Sequence, residues 1–310
     1  MVAFNIIVFQ LHLSFDKDII GRIVLVINHN LHFFYKEMSW LLQSYFIVII
    51  NKGGEYMIKG ILFDKDGTLI DFSLWKDAGI KTIQLIMDEY NLNDENLFNE
   101  LKNSIGITEY GVEPFGALAY KSHEDLAAEM HFILNKYREI DLSRFQTHVA
   151  NLLRKEVLKD DVQFKQLTDI KSLYNHLSSN NIKMGMATAD CMDSAMHMIN
   201  KLNLHEHFDF IGAYDGVMKR KPHVDMCMRF CSMYDLDPSE VAIVGDSYND
   251  MLFAKNSGAI GVGVLSGVSS KINLKDIANV IVPSINSLFD KEVLKSLNIE
   301  NYKSRELFSA

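Results

Sequence analysis

The apolar positions of this 310-residue chain follow two periods after residue 57 and neither before it. Residues 58–63 form a short apolar run closing on Asp64, the pattern of a parallel strand buried on both faces. Residues 74–90 carry Trp75, Ile83, Ile86, Met87 and Tyr90 at helical spacing, and 97–105 carry a weaker helical pattern. A glycine-rich stretch with Pro114, residues 106–120, reads as a loop. A helix is predicted over 122–137, opened by Ser122 and Asp125 in a capping-box arrangement. Another is predicted over 143–158, amphipathic through Phe145, Val149, Leu152 and Leu153. Nothing from 74 to 158 resembles a strand, so this block is expected to be all helical.

The two periods then alternate. Helix 166–179 precedes strand 182–188, helix 191–202 precedes strand 208–212, and helix 223–234 precedes strand 241–245. A short helix over 249–256 is stopped by Gly258, and 260–264 and 280–282 are β-branched apolar runs. Such alternation specifies an α/β fold, a Rossmann-like parallel sheet with helices on both faces. Its first strand lies upstream of the helical block, so that block is an insertion. The expected division is a core of 57–73 and 164–290, an inserted helical domain of 74–163 and a C-terminal tail of 291–310. The sequence has no internal repeat or low-complexity tract.

Residues 1–56 form an N-terminal extension, apolar in bursts (FNIIVF, IIGRIVLVI, SWLLQSYFIVII). Each burst is shorter than a membrane span, and Arg22, His29, His32, Lys36 and Glu37 interrupt them. The start, MVAFNIIVFQ, lacks the basic region of a secretory signal. KGGEYM back-translates to a string that can be written AAAGGAGGTGAATATATG, a bacterial ribosome-binding sequence ahead of a start codon at Met57. The expectation is that 1–56 are translated upstream DNA and that the native chain starts at Met57. The alternative is an N-terminal anchor, and the intact mass of the protein from its native host decides between them.

Composition narrows the setting. The formal net charge is −9; in 1–56, Lys17, Arg22, Lys36 and Lys52 balance Asp16, Asp18, Glu37 and Glu55, so the whole excess lies in 57–310. An acidic body argues against a nucleic-acid partner, and no membrane partner is expected. The three cysteines, Cys191, Cys227 and Cys231, have no framework spacing, which fits a reducing, cytoplasmic setting. His223, Cys227 and Cys231 recur every fourth residue, and packed positions on a helix face are expected there rather than a metal site.

Chemistry is expected at the carboxyl ends of the strands, where ligands bind in open α/β sheets. The first strand ends in Asp64 and Asp66, the second in Thr188 and Asp190, and strand 241–245 in GDSYND with Asp246 and Asp250. Lys219, Arg220 and Lys221 follow the third strand, directly before Pro222. Clustered carboxylates repel unless a cation offsets them, which implies an oxygen-seeking ion. Mg2+ fits, because it takes one or two carboxylates and keeps positions for water and a phosphate oxygen. Lys221 and the ion would neutralise a phosphoryl group in transfer, and an aspartate can attack it to form an aspartyl-phosphate.

DKDGT (64–68), Thr188 in MATAD, Lys221 in RKP and GDSYND (245–250) resemble the four motifs of the haloacid dehalogenase-like (HAD) hydrolases. The helical insertion resembles that superfamily's helical cap, and over about 57–285 the chain is similar to phosphoglycolate phosphatase and its relatives. The resemblance implies Asp64 as nucleophile and Asp66 as general acid, then general base. It implies Thr188 as donor to a phosphoryl oxygen. Lys221, which directly precedes proline as the family's lysine does, would offset the charge of Asp64 and the phosphate. Mg2+ would be held by the Asp64 carboxylate, the Asp66 carbonyl and Asp246, with Asp250 at the metal site to orient Asp246 or a metal-bound water. Dehalogenase members lack the second aspartate of the first motif, so Asp66 favours phosphate chemistry.

The function this implies is a Mg2+-dependent phosphatase, a phosphoric monoester hydrolase acting on a small phosphorylated metabolite such as phosphoglycolate or a sugar phosphate. The alternatives are a β-phosphoglucomutase-like phosphomutase, a pyrophosphatase and a non-catalytic binding module for a phospho-ligand. The cap would close over the site about hinges at 71–73 and 163–166. Position 65 is usually apolar in phosphoglycolate phosphatase-like members. Here it is Lys65, expected to face solvent or the sheet edge, the alternative being positive charge near the site. Lys121 and His123 in the cap are expected as solvated helix-start residues rather than sugar ligands. The sequence carries no signal for oligomeric state.

Overall fold

The computed structural model describes residues 58–289. The expectations for 1–56 and for the tail at 291–310 lie outside the described residues. In chain order, β1 (Gly60–Phe63) is followed by α1 (Ser73–Glu89), α2 (Glu95–Ser104), the short strands β2 (Ile107–Thr108) and β3 (Gly111–Val112), α3 (Ala117–Tyr120), α4 (His123–Leu134) and α5 (Leu142–Val157). Then come α6 (Ile170–Ser179), β4 (Lys183–Cys191), α7 (Met192–Leu202), β5 (Phe210–Tyr214), α8 (Asp225–Tyr234) and β6 (Val241–Gly245). The series ends with α9 (Tyr248–Ser257), β7 (Ile260–Val264), α10 (Lys271–Leu274) and β8 (Val280–Val282).

Six strands pair in parallel in the order β5-β4-β1-β6-β7-β8, which puts β1 in the interior of the sheet. Successive side chains point to opposite faces, and both faces are covered. Ile61 and Phe63 pack with Met184, Met186, Leu173, Leu177 and Ile199, whereas Leu62 joins Phe210, Phe230 and Phe253 on the other side. Cys227 and Cys231 of α8 are buried in that second cluster. His223 lies ahead of the helix with Nδ1 2.8 Å from Asp225 Oδ1, away from the two thiols' packing.

The inserted block carries its own core, built around Trp75, Ile83, Ile86, Leu101, Met130, Phe145, Val149 and Leu153. Its helices start on side-chain caps: Asp94 accepts from the N–H groups of Asn96 and Leu97, Ser122 from that of Asp125, and Asp141 from that of Arg144. At Ser122 only half of the expected box forms. The Asp125 carboxylate accepts from the Ser122 hydroxyl at 2.9 Å instead of reaching the backbone N–H.

Contrary to expectation, the block is not wholly helical. Ile107 pairs with Val112 and Thr108 with Gly111 in an antiparallel ribbon, and 117–120 is a short helix where a loop was expected. Strands of two residues are too short to display a period of two. The strand expected over 208–212 lies at Phe210–Tyr214. The reason is Asp209, whose carboxylate takes the Met184 N–H at 2.8 Å and so stands where a ladder carbonyl would. The helix expected from 166 begins at Ile170, where Asp169 caps Lys171 and Ser172.

The two passages between sheet and cap run side by side. Asp71 N–H donates to Lys165 O and Leu167 N–H to Leu69 O, both at 2.9 Å, and Lys165 Nζ reaches Asp71 Oδ2 at 2.7 Å. Among the described residues no helix is long and apolar enough to cross a membrane.

Candidate active site

The site grows from the turn that ends β1. Asp64 N–H is still held in the ladder by Val244 O at 2.8 Å; beyond it, Leu69 and Ile70 N–H both donate to Lys65 O at 3.0 Å. Gly67 takes φ +83°, and a Cβ there would lie 2.5 Å from Asp246 Oδ2. Conformation and close approach both require glycine at this corner. The turn presents Asp64, Lys65 and Asp66 at the carboxyl edge of an interior strand.

On one side of the turn, the buried carboxylates of Asp64, Asp246 and Asp250 offer oxygens within 4.8 Å of one another. Lys221, carried in from the segment after β5, donates to Asp64 Oδ1 at 2.5 Å and to Asp250 Oδ1 at 2.6 Å. Asp250 Oδ2 accepts from the Ser247 N–H at 3.0 Å and hydroxyl at 2.6 Å, within the capping box of α9. Asp246 Oδ2 accepts the Val268 N–H at 2.7 Å, and the Ser266 hydroxyl donates to Gly67 O at 2.9 Å. Both groups come from the loop after β7, which no sequence motif marked. Thr188 is buried, and its Oγ1 accepts the Asp190 N–H at 3.1 Å, leaving the hydroxyl proton for another acceptor.

Burial pushes the Asp64 carboxyl up to about 7; Lys221 opposes the shift, and Asp250 and Asp66 add to it. Burial, with the charges of Asp64 and Asp250, pushes Asp246 well above the usual carboxylate range. Burial works against the Lys221 charge, but Asp250 and Asp64 outweigh it and hold the lysine above its ordinary value. Three carboxylates sharing one ammonium keep uncompensated negative charge in a buried space. That is the donor set a hard, oxygen-seeking dication takes.

On the other side of the turn lies Lys65, and here the expectation is corrected. It faces neither solvent nor the sheet edge: it is 0% exposed. Its Nζ donates to Asp190 Oδ2 at 2.8 Å and Ser194 Oγ at 3.3 Å, and lies 3.1 Å from Asp66 Oδ2. The Trp75 ring of the cap lies 5.7 Å from the same nitrogen. Burial works against the Lys65 charge, yet Asp190 and Asp66 hold it above the ordinary lysine value. Burial likewise works against the Asp190 charge, and Lys65 overrides it, keeping this carboxyl below its usual range. Asp66 stays raised, by burial first; Lys65 opposes, Asp190 adds, and the Trp75 indole opposes.

A cavity of about 500 Å³ lies between cap and core above these residues. Tyr120, Lys121, His123 and Arg154 line it from the cap, and Arg220 and Asn249 from the core. Lys121 pairs with Glu129, and His123 packs on Trp75 with ring centroids 5.2 Å apart. His123 is therefore packed into the cavity wall and not merely a solvated helix-start residue, whereas Lys121, at the cavity's edge, is exposed as expected. Arg220 stacks over Tyr214 at 4.3 Å, so of the three basic residues before Pro222 only Lys221 reaches Asp64. Asn249 belongs to the GDSYND run but was not singled out there, and Arg154 carried no signal in the sequence, because only the docking of cap on core brings it to the cavity.

The model of the haloacid dehalogenase-like hydrolase family matches residues 61–264. Pyrophosphatase PpaX of Bacillus pumilus is 24% identical over 68% of this chain and 84% of its own length. Phosphoglycolate phosphatase of Chromobacterium violaceum is 24% identical over 75% of this chain and 96% of its own. The crystal structure of β-phosphoglucomutase from Clostridium difficile shares the fold, with a TM-score of 0.55 at 22% identity over 78% of this chain and 98% of that one. With the match running from β1 through β7 over a parallel sheet interrupted by a helical cap, the chain belongs to the haloacid dehalogenase-like hydrolases.

Proposed function

We propose that this chain is a Mg2+-dependent phosphatase that hydrolyses a small phosphoric monoester through an aspartyl-phosphate on Asp64. The observation that carries this reading is the Asp64 carboxylate, gripped by Lys221 at 2.5 Å, beside Asp246 and Asp250 and beneath the cavity. The names of the relatives, a pyrophosphatase and a phosphoglycolate phosphatase, support phosphoryl hydrolysis.

In this reading Asp64 attacks phosphorus as the bond to the leaving oxygen breaks, and Asp66 gives that oxygen its proton. Asp66 then takes a proton from the water that attacks the phosphoryl group, which releases phosphate and regenerates Asp64. Lys221 commits two of its three protons to Asp64 and Asp250, and the third is available to a phosphoryl oxygen. The Thr188 hydroxyl serves a second one. Asp64, Asp246 and the Asp66 carbonyl would hold Mg2+, with Asp250 beside them; when bound, the ion neutralises charge on the transferred group. The cap would exclude water, and Lys121, His123, Arg154 and Arg220 would meet the organic part of the substrate. The cysteines are free thiols, which suits a cytoplasmic setting.

Phosphate release is measured with p-nitrophenyl phosphate and Mg2+, then across phosphoglycolate, sugar phosphates and pyrophosphate, for the wild type and Asp64→Asn. Turnover that depends on Asp64 is expected, with a monoester as best substrate. No turnover, turnover that survives in Asp64→Asn, or conversion of glucose 1-phosphate into another sugar phosphate instead of free phosphate would overturn the proposal.

A further inference from the structure

We infer that Lys65 is a positioning residue for proton transfer: through a buried cluster with Asp190 and Ser194, it fixes the carboxyl of Asp66. The inference rests on the phosphatase reading above. An ammonium has three protons. At Lys65 two oxygens accept from it, Asp190 Oδ2 at 2.8 Å and Ser194 Oγ at 3.3 Å, and Asp66 Oδ2 stands 3.1 Å away as an ion-pair partner. Lys65 is fully buried, and the cavity is lined by Asp64 and Asp66 on either side of it rather than by Lys65, so Lys65 acts through Asp66.

The far side of the cluster is anchored to the backbone. Asp190 Oδ1 accepts the Cys191 N–H at 2.7 Å, where β4 passes into α7, and Ser194 stands in the first turn of that helix. Lys65 transmits this anchorage to one oxygen of Asp66, its Oδ2. The other oxygen, Oδ1, is buried with no hydrogen-bond partner. A carboxyl that first gives and then takes a proton works best with one oxygen fixed and the other uncommitted, and this geometry provides that division. Trp75 lies over the ammonium and covers the cluster on its cap side. An apolar residue at position 65, which would leave Asp190 unpaired, could not supply the same restraint.

The test uses the full chain with Mg2+ and compares kcat/KM for two esters, p-nitrophenyl phosphate and an alkyl phosphate. The first has a leaving group that departs with little help; the second needs its oxygen protonated. kcat/KM reports the steps through formation of the phosphorylated Asp64, where the leaving oxygen takes its proton. Lys65→Met is expected to lose about 100-fold on the alkyl ester and less than about 5-fold on the nitrophenyl ester. In Lys65→Met/Asp190→Asn, which removes both buried charges, thermal stability returns while the selective loss on the alkyl ester remains. That double variant also serves if Lys65→Met fails to fold. Equal losses on the two esters, or recovery of alkyl-ester turnover in the double variant, would overturn the role of Lys65 alone. A wild type without Asp64-dependent turnover would overturn the phosphatase reading itself.

Discussion

Two buried lysines stand on either side of the turn after β1, with different commitments. Lys221 comes from a distant segment and bridges Asp64 and Asp250, in a pocket that also holds Asp246. Lys65 is the chain neighbour of both rim aspartates; it donates to Asp190 and Ser194 and pairs with Asp66. The Lys221 side keeps an excess of carboxylate, and there a dication and a phosphoryl group can enter. The Lys65 side is closed on itself, with two carboxylates and a hydroxyl around one ammonium, and serves to hold shape. Burial disfavours charge on both sides alike; what separates them is how many carboxylates share one ammonium, three on the Lys221 side and two on the Lys65 side.

The largest effect is expected from Lys221→Met. It leaves Asp64 and Asp250 facing each other in a buried space, at a cost of about 3–5 kcal/mol, or roughly 6–20 °C in Tm. It also removes a charge from the transition state, with a further loss of roughly 10²–10³-fold in kcat. A wild-type Tm and kcat in this variant would break the open side of the comparison. Lys65→Met is expected to cost about 3 kcal/mol for the same reason. Here Asp190→Asn in the same chain should restore at least half, because it removes the charge left behind. Thermal melts of the single and double variants measure this; a double variant no more stable than the single one would mean that the side is not closed.

How far each side could be read from sequence follows from the same distinction. Asp64, Thr188 and Asp246 were legible because each closes an apolar run at the carboxyl edge of a parallel strand, and such ends converge by topology; Lys221, in the segment past β5, was legible by the proline that follows it. Lys65 stands in the turn beyond Phe63, where no strand period says which way a side chain points or what surrounds it. Its partners Asp190 and Ser194 lie 125 and 129 residues away, at the end of β4 and in the first turn of α7. An aspartate two residues past Thr188 was visible, but its pairing with a lysine buried in the first motif depends on how helix and strand pack. The Ile107–Val112 ribbon and the cap residues over the cavity escaped for a similar reason: two-residue strands have no period, and docking surfaces carry no motif.

Metal and pH sharpen the open side by a smaller amount. The metal-free Asp64 carboxyl sits at about 7, above its unfolded value of 3.8. The folded state therefore binds this proton more tightly than the unfolded chain. The associated stability is present in acid and is lost as pH rises through about 7. Mg2+ takes the ionised form, so ionising Asp64 alone should raise its apparent affinity about tenfold between pH 6 and pH 8, and the raised Asp246 adds to this, with proton release near the lower limit. Calorimetric titration in buffers of different ionisation enthalpy measures both. An affinity flat across this range would break the assignment of the dication to the Lys221 side.

The smallest effect comes from a third lysine–aspartate pair, at the passage between sheet and cap, and it tests whether burial or mere pairing makes the other two matter. Lys165 Nζ lies 2.7 Å from Asp71 Oδ2, yet the Lys165 side chain is 74% exposed. The Lys165 hydrogen bond, helped by the Ser73 N–H, lowers the Asp71 pKa. With the folded value depressed, the pair contributes stability above the ordinary aspartate range and loses it as pH falls through the folded value. Asp71→Asn removes the charge but keeps an oxygen for the Ser73 N–H, which Asp71 Oδ1 accepts at 2.8 Å. Solvent screening limits the expected change to about 1 kcal/mol or less, no more than about 2–4 °C in Tm. In 1 M salt this difference should vanish, while the losses in Lys65→Met and Lys221→Met persist, because buried pairs are screened far less. If Asp71→Asn instead matched the buried variants in size, or their losses also disappeared in salt, pairing rather than burial would set the scale, and the contrast between the two sides of β1 would lose its physical basis.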